Sequence, residues 1–239
     1  MMTELTLPII GYMHSSYKEK FGIPRQPNLV QVESYIEMLA PYNDVLAFEG
    51  IEAFSHLWLV WQFHDNKNPE KNQFRPQVRP PRLGGNKKIG VFATRSMYRP
   101  SQIGLSVVRL KCVKKEGKSV RVYVTGSDLL DGTPIVDIKP YIHYSDAVIN
   151  AESGYAQDEP KRKSVIWSDR AIEQKQQLLM SEKLSVQTAQ ELEAVLSLDP
   201  RPAYQDDEAR VYKMKFAAVD IAFTVGETTV NITDVELET

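Results

Sequence analysis

The sequence predicts a mainly β protein with an antiparallel, barrel-like domain over residues 1–150 and a linker with a small α+β domain over residues 151–239. Short strand-like segments separated by proline and glycine fill most of the first 145 residues. Residues 119–125 alternate valine with polar side chains, the period-two pattern of a half-buried antiparallel strand. Helical periodicity begins only after residue 160. A barrel or sandwich therefore fits better than a doubly wound parallel sheet.

The N-terminal part is predicted to contain several strands in close succession. Residues 103–113 and 119–125 predict a hairpin whose turn contains Glu116 and Gly117. Three further predicted strands cover residues 5–13, 55–63 and 88–94.

The C-terminal part has a different pattern. Residues 150–163 are polar and predict a surface connection, and residues 168–184 and 186–198 predict two helices. Ser168 or Asp169 is suited to cap the first helix, and Asp199-Pro200 ends the second, because a residue before proline disfavours helical dihedrals. Two strands are predicted on either side of Gly226, over residues 210–225 and 228–237.

Length and composition exclude several classes of protein. The chain has 239 residues, is 42% hydrophobic and carries a formal net charge of -2, so one core can form without disulfides. The single cysteine, Cys112, excludes an intramolecular disulfide and a cysteine-based metal cluster, and it favours a cytoplasmic location. The longest apolar run has five residues, which predicts no membrane-spanning helix, and the N-terminus lacks the layout of a secretory signal.

Basic residues are concentrated in one segment of this nearly neutral chain. Residues 71–115 contain 12 lysines and arginines and no acid, which leaves 17 basic and 31 acidic residues elsewhere. Such a block can hold phosphates locally, although solvated barrel-edge cations would have the same composition. The members are Lys71, Arg75, Arg79, Arg82, Lys87, Lys88, Arg95, Arg99, Arg109, Lys111, Lys114 and Lys115.

Common catalytic motifs are missing from the sequence. It contains no G-x-G-x-x-G, no phosphate-binding Walker loop and no nucleophile-elbow serine. The glycine pair Gly84-Gly85 is interpreted as a turn. Four scattered histidines without metal-ligand spacing predict no metal site.

Four segments nevertheless have unusual compositions. Pro24-Arg25-Gln26-Pro27 fixes an arginine and an amide between prolines, either to present them to a ligand or as a structural loop. Residues 79–86 space two arginines along a stiff, extended segment suited to phosphates. Asp128 and Asp131 flank a turn, where they cap backbone amides or receive a ligand. Residues 199–204 again place charged and aromatic side chains between prolines.

These segments, in this order, resemble the TrmO family, also called TsaA or YaeB. The resemblance covers nearly the whole chain and rests on long matching stretches, which are residues 17–27, 51–64, 78–104, 126–141 and 199–204. Members of this family are tRNA methyltransferases that use S-adenosylmethionine and have a β-barrel instead of a nucleotide-binding fold. The resemblance implies a homodimer that methylates N6 of threonylcarbamoyladenosine beside the anticodon of threonine tRNA.

The resemblance also implies roles for individual residues. The cofactor-binding residues would be Pro24, Arg25, Gln26, Phe63, His64, Arg95, Leu105, Asp128, Leu129, Leu130 and Asp131. The tRNA phosphates would be contacted by Arg79, Arg82, Lys87, Lys88 and Arg99. The catalytic element on the substrate side would contain Asp199, Arg201 and Tyr204.

Several questions stay open at the level of sequence. The proton acceptor is Asp128, Asp131, Asp199 or His64, and His64 is equally well explained as a strand-end residue packed beside Phe63. The carboxylate of the modified base would meet Arg201, Arg25 or Lys18, and Tyr98, Tyr141 and Tyr204 are candidate platforms for unstacked bases. A non-catalytic RNA-binding module and an enzyme acting on a small molecule are the competing functions.

Overall fold

Six antiparallel strands form a closed barrel in the N-terminal part of the protein. The structure is a computed structural model that describes residues 5–65, 74–202, 205 and 207–238. The first eight strands are β1 (Gly11–His14), β2 (Glu33–Met38), β3 (His56–Gln62), β4 (Gln77–Val78), β5 (Ile89–Gly90), β6 (Ile103–Glu116), β7 (Ser119–Thr125) and β8 (Pro134–Pro140). The barrel order is β1-β2-β7-β6-β3-β8, while β4 and β5 pair separately.

Alternation of side chains determines the barrel interior. Val120, Val122 and Val124 of β7 are fully buried, as are Leu57 and Leu59 of β3, because every second side chain of a strand faces the same side. Strands β6 and β7 form the predicted antiparallel hairpin. The predicted barrel and this hairpin are therefore confirmed.

The C-terminal part is a four-stranded mixed sheet covered by two helices. The elements after the barrel are the short helix α1 (His143–Asp146), β9 (Ser164–Trp167), α2 (Asp169–Met180), α3 (Val186–Leu196), β10 (Tyr212–Phe216), β11 (Val219–Val225) and β12 (Thr229–Leu237). The sheet order is β10-β11-β12-β9, and only β12 and β9 are parallel. The predicted α+β character is therefore confirmed.

A segment between β1 and β2 connects the barrel to the C-terminal core. Tyr17, Val30 and Val32 belong to the same buried cluster as the sheet and its helices. The Tyr17 ring packs edge-on against Phe216 with ring centroids 5.9 Å apart. The chain between these anchors, including residues 24–26, is thus held between the two parts of the protein.

Three predicted strands differ from the structure. Of residues 5–13, only residues 11–13 lie in a strand, β1, because Pro8 lacks the N–H that a strand would donate. Of residues 88–94, only β5 is a strand, because its partner β4 has two residues and Val91–Ala93 continues as a 3-10 turn. Residues 210–225 form two strands, β10 and β11, instead of one. The apolar alternation breaks between Phe216 and Val219, and Ala217 has a φ of 52° there, which reverses the chain.

Turn and cap chemistry accounts for the helix boundaries. Ser168, not Asp169, is the N-cap of α2, since its hydroxyl accepts the Ala171 N–H. Helix α2 ends at Met180 instead of residue 184, because Glu182 adopts a φ of 56°. Helix α3 ends at Leu196, two residues before the predicted end.

A buried ion pair anchors the chain that follows α3. The Arg201 guanidinium is 8% exposed and donates Nε–H and Nη2–H to the two Asp199 oxygens, each at 2.9 Å. Lys163 Nζ lies 3.5 Å from the same carboxylate. Burial alone would raise the pKa of Asp199, but the hydrogen bonds and positive charge of Arg201, assisted by Lys163, lower it below its usual value.

We expect Asp199→Asn to destabilise the protein at neutral pH. A carboxyl group with a lowered folded-state pKa stabilises the fold above its unfolded pKa of about 3.9, and this stabilisation is lost as the pH falls through the folded-state pKa. Loss of one charge from a fully buried pair costs about 3–5 kcal/mol, and we expect a smaller loss here because the Asp199 side chain is 23% exposed. Urea unfolding at pH 7 should show this loss, and the difference from the parent protein should shrink at pH 3.

Asp137→Asn is the matched control, because Asp137 pairs with Lys139 at an exposed site. It should change stability little at either pH. An equal loss for Asp199→Asn at pH 3 and pH 7 would contradict the electrostatic explanation.

Candidate active site

A cavity of about 500 Å³ opens beside the ends of β3 and β6. This volume suits a small-molecule ligand. The segment before β2, the strand ends and the turn after β7 supply its walls. The predicted cofactor-binding residues that line it are Pro24, Arg25, Gln26, Phe63, His64, Arg95, Leu105, Asp128, Leu129 and Leu130.

Gly104 lets an indole ring form part of the cavity wall. Trp61 of β3 pairs with Gly104 of β6, and a Cβ atom at residue 104 would lie 2.3 Å from the Trp61 ring. The ring also packs edge-on against Phe63 at 4.4 Å between centroids. Only glycine therefore permits this close approach of ring and strand.

The Asp128 carboxylate is held at the cavity by a buried hydroxyl. Ser106 Oγ donates to Asp128 Oδ1 at 2.6 Å, and Trp61 Nε1 donates to Ser106 Oγ at 3.0 Å. Burial raises the pKa of Asp128 to about 6, although the Ser106 hydrogen bond and the Arg95 charge act in the opposite direction. The cavity thus contains a carboxylate whose charge changes near neutral pH.

Asp131 has a different environment from Asp128. It does not line the cavity. It accepts the Ser15 N–H at 2.9 Å and pairs with Lys18 at 2.9 Å. The structure therefore separates the two carboxylates of the turn, with Asp131 fixing the backbone after β1 and Asp128 facing the cavity.

His64 is the second titratable group of interest in the cavity wall. Burial lowers the pKa of its imidazole, Asp65 opposes this effect, and Lys20 contributes a further lowering. Hydrogen bonds to the backbone of Gln62 and Asp131 also oppose the lowering, and the net lowered pKa leaves the ring neutral at pH 7, with one of its two nitrogens unprotonated.

The segment of residues 24–26 is connected to other walls of the site. Arg25 Nη2 donates to the Arg201 carbonyl at 3.1 Å, and Arg95 Nη1 donates to Gln26 Oε1 at 2.6 Å. Arg25, Gln26 and Arg95 line both the cavity and a larger groove of about 1550 Å³. The cavity therefore opens directly into the groove.

The groove is lined by cations from the basic segment. Of the predicted phosphate contacts, Arg79, Arg82 and Lys88 line it, whereas Arg99 lines the cavity and Lys87 lines neither. Pro81–Leu83 form a 3-10 turn, so residues 79–86 are not extended throughout as predicted. Gly84 and Gly85 have φ values of 70° and 71°, which confirms the predicted turn.

Of the two candidate aromatic platforms that the structure describes, one lies in the groove and one does not. Tyr98 lines the groove with the Arg75 guanidinium 4.1 Å from its ring centroid. Tyr141 packs near Trp58, at 5.9 Å between centroids, and lines neither the cavity nor the groove. Phe92, which the sequence analysis did not single out, lines the groove and is 73% exposed.

The described residues of the predicted catalytic element lie in the groove wall beside Arg25. Asp199 and Arg201 line it, but their side chains bind each other in the buried pair described above. The lowered pKa of Asp199 makes its carboxylate a weak base. Tyr204 lies outside the described residues.

Sequence reasoning also missed Lys20, Trp61, Gly104 and Ser106. In the sequence, Trp58 and Trp61 both appear only as members of an apolar run. The spacing of two small residues, Gly104 and Ser106, on the neighbouring strand is the signal that could have identified Trp61 as part of the site.

Within the described ranges, no group of three or more potential ligands is arranged to hold a metal ion. None of the helices described is long and apolar enough to cross a membrane.

Comparisons with known proteins agree with this architecture. Residues 12–147 match the family model of the tRNA-methyltransferase O N-terminal domain, and residues 160–238 match that of the TrmO C-terminal domain. A crystal structure of TrmO from Pseudomonas aeruginosa superposes with a TM-score of 0.78 at 36% identity, covering 100% of this chain and 99% of the other.

Two similar sequences carry functional names. The chain is 44% identical to the tRNA (adenine(37)-N6)-methyltransferase of Escherichia coli, over 87% of this chain and 86% of the relative. It is also 44% identical to a putative S-adenosylmethionine-dependent methyltransferase of Pseudomonas aeruginosa, over 92% of each chain. With both domain models matched in order along the barrel and the mixed sheet, the chain belongs to the tRNA-methyltransferase O family.

Proposed function

We propose that this protein is an S-adenosylmethionine-dependent methyltransferase that modifies N6 of adenine 37 in tRNA. The observation that carries the proposal is the direct opening of a ligand-sized cavity, with Asp128 in its wall, into a cation-lined groove. Family membership supports it, and the Escherichia coli relative carries this activity in its name.

The cavity residues fit the cofactor. Gly104 leaves a space beside the Trp61 ring that a Cβ atom would fill. Phe63 and Leu105 add apolar surface, and Asp128 supplies negative charge for the cationic part of the ligand. S-adenosylmethionine, when bound, supplies an electrophilic methyl group carried on a positively charged sulfur.

Residues of the chain are assigned the two remaining tasks, which are proton removal from the acceptor nitrogen and positioning of the acceptor. An adenine N6 nitrogen is a weak nucleophile because its lone pair is delocalised into the ring, so removal of its proton assists attack. His64 is neutral at pH 7 and lies in the cavity wall, which suits it to accept that proton. Positioning of the acceptor by the groove supplies much of the remaining acceleration.

The groove is suited to hold the anticodon arm of tRNA. Arg79, Arg82 and Lys88 contact phosphates in this proposal. Anticodon-loop bases are unstacked, and the exposed Phe92 ring offers them a stacking surface.

The finer proposal is that the acceptor is threonylcarbamoyladenosine in threonine tRNA. Its carboxylate requires a cation near the acceptor, and three candidates followed from the sequence. Arg201 binds Asp199, and Lys18 binds Asp131. Arg25 borders both cavity and groove, and its guanidinium donates to the neutral carbonyl of Arg201. Arg25 is therefore the favoured residue to bind the carboxylate of the threonylcarbamoyl group.

We also propose a cytoplasmic homodimer with separate functional domains at residues 1–150 and 151–239. A mass near 27.2 kDa at sedimentation equilibrium would contradict the dimer.

The activity itself is tested with purified protein, S-adenosylmethionine and tRNA prepared with or without the threonylcarbamoyl group. Nucleoside mass spectrometry should show one added methyl group, only on the modified adenosine. Gly104→Ala is the variant that tests the cavity itself, because the added alanine methyl group would displace the Trp61 ring from the cavity wall. It should reduce methylation at least about 10-fold. No methylation of either tRNA, with cofactor and tRNA binding intact, would refute the proposal.

Arg25→Gln tests recognition of the carboxylate. We expect it to lower kcat/KM for threonylcarbamoyl tRNA by about 10-fold to 100-fold while S-adenosylmethionine affinity changes less, since a charge-assisted contact is lost. Lys18→Gln is the comparison, because Lys18 is committed to Asp131. Equal losses for the two variants would rule out this role of Arg25.

Removal of one groove cation tests phosphate binding. Arg79→Ala should weaken tRNA binding and reduce the slope of log affinity against log salt by about 0.7–0.9 for each lost contact. Lys118→Ala, in the β6–β7 turn and outside the groove lining, is the control and should leave the slope unchanged. An unchanged slope for Arg79→Ala would exclude it from phosphate contact.

A further inference from the structure

A chain of two hydrogen bonds crosses the barrel wall and ends on Asp128. Trp61 on β3 donates to Ser106 on β6, and Ser106 donates to Asp128 after β7. Trp61 is 8% exposed and Ser106 is 1% exposed. Trp61 and Ser106 are therefore shielded from solvent, while Asp128 is half-buried and lines the cavity.

The direction of this chain is fixed by the chemistry of its members. An indole nitrogen is a donor only, so Ser106 Oγ must accept from Trp61. The hydroxyl has one proton, and that proton is directed to Asp128. The Oγ–Oδ1 distance of 2.6 Å is typical of a hydrogen bond from a hydroxyl to a carboxylate.

The sequence of β6 supports a dedicated arrangement. The inward-facing positions of its first half are Gly104, Ser106, Val108 and Leu110, of which only Ser106 has a polar side chain. Gly104 admits the Trp61 ring, and Ser106 receives its N–H. Two neighbouring inward positions thus place the ring and use its donor.

We propose that Ser106 is a positioning residue that, oriented by Trp61, holds the Asp128 carboxylate in its charged form at the cavity. This inference rests on the proposed function for the role of Asp128 toward a cationic ligand. The hydrogen-bond chain itself exists without any ligand. Burial disfavours the charged form of Asp128, and the hydrogen bond from Ser106 favours it. Loss of the Ser106 hydroxyl therefore shifts the protonation equilibrium of Asp128 toward the neutral acid.

The test is the titration of Asp128 in the ligand-free protein. Side-chain carboxyl ¹³C resonances of labelled aspartate are followed by NMR against pH, with Asp128 assigned by the loss of its signal in Asp128→Asn. Ser106→Ala should raise the pKa of Asp128 by about one pH unit or more. Trp61→Phe should shift it in the same direction by less, and it provides the test if Ser106→Ala does not fold.

Ser34→Ala is the matched control. Ser34 is a barrel serine that is 2% exposed, and its hydroxyl has no hydrogen-bond partner among the described residues. Its removal should leave the Asp128 titration unchanged. A titration unchanged in Ser106→Ala, or shifted equally in Ser34→Ala, would overturn the proposal.

The pH profile of the reaction separates this inference from the proposed function. In Ser106→Ala, kcat/KM for S-adenosylmethionine should fall about 3-fold near pH 6.5, because a pKa raised by one unit leaves a smaller fraction of Asp128 charged, and it should recover toward the parent value at pH 8.5. A uniform loss at both pH values would assign Ser106 a structural role only and overturn the proposal. A shifted NMR titration without methyl transfer would retain the positioning role and refute the proposed function.

Discussion

A half-buried carboxylate in the turn after β7, held by a barrel strand, is the constraint on which the site depends. Burial favours the neutral form of Asp128, whereas the Ser106 hydroxyl and the Arg95 charge favour the charged form. The Ser106 hydroxyl is placed by strand register, since Trp61 pairs with Gly104 and Ser106 lies two residues further along β6. The electrostatics of the cavity are therefore a consequence of barrel closure.

The same architecture explains how a ligand that contains a nucleoside can be bound without a glycine-rich loop. In open α/β sheets a helix N-terminus faces the ligand, whereas here strand ends, a turn and the proline-flanked segment of residues 24–26 form the walls. That segment is anchored through Tyr17 and Val30 in the C-terminal core. The C-terminal sheet thus contributes to the site by holding one wall in place.

Much of the fold followed from the sequence, and part of the site did not. Alternating valines and the turn at Glu116-Gly117 predicted the β6–β7 hairpin, because period-two burial is a local property. The sequence analysis missed the turn at Ala217. Its only signal in the sequence is one interruption in the alternation of apolar and polar residues between Phe216 and Val219. The different roles of Asp128 and Asp131 depend on Ser106 and Lys18, which approach from distant parts of the chain. Strand register also brings together Trp61 and Gly104, and only the folded chain reveals that contact.

The central claim is that the cofactor binds in the barrel-wall cavity and the tRNA acceptor enters from the groove. The most direct measurement is a crystal structure of the protein grown with S-adenosylmethionine. We expect density for the cofactor between Gly104 and the 128–130 turn, with a positively charged group within hydrogen-bond distance of Asp128. Density for the cofactor elsewhere, with this cavity filled only by solvent, would contradict the account.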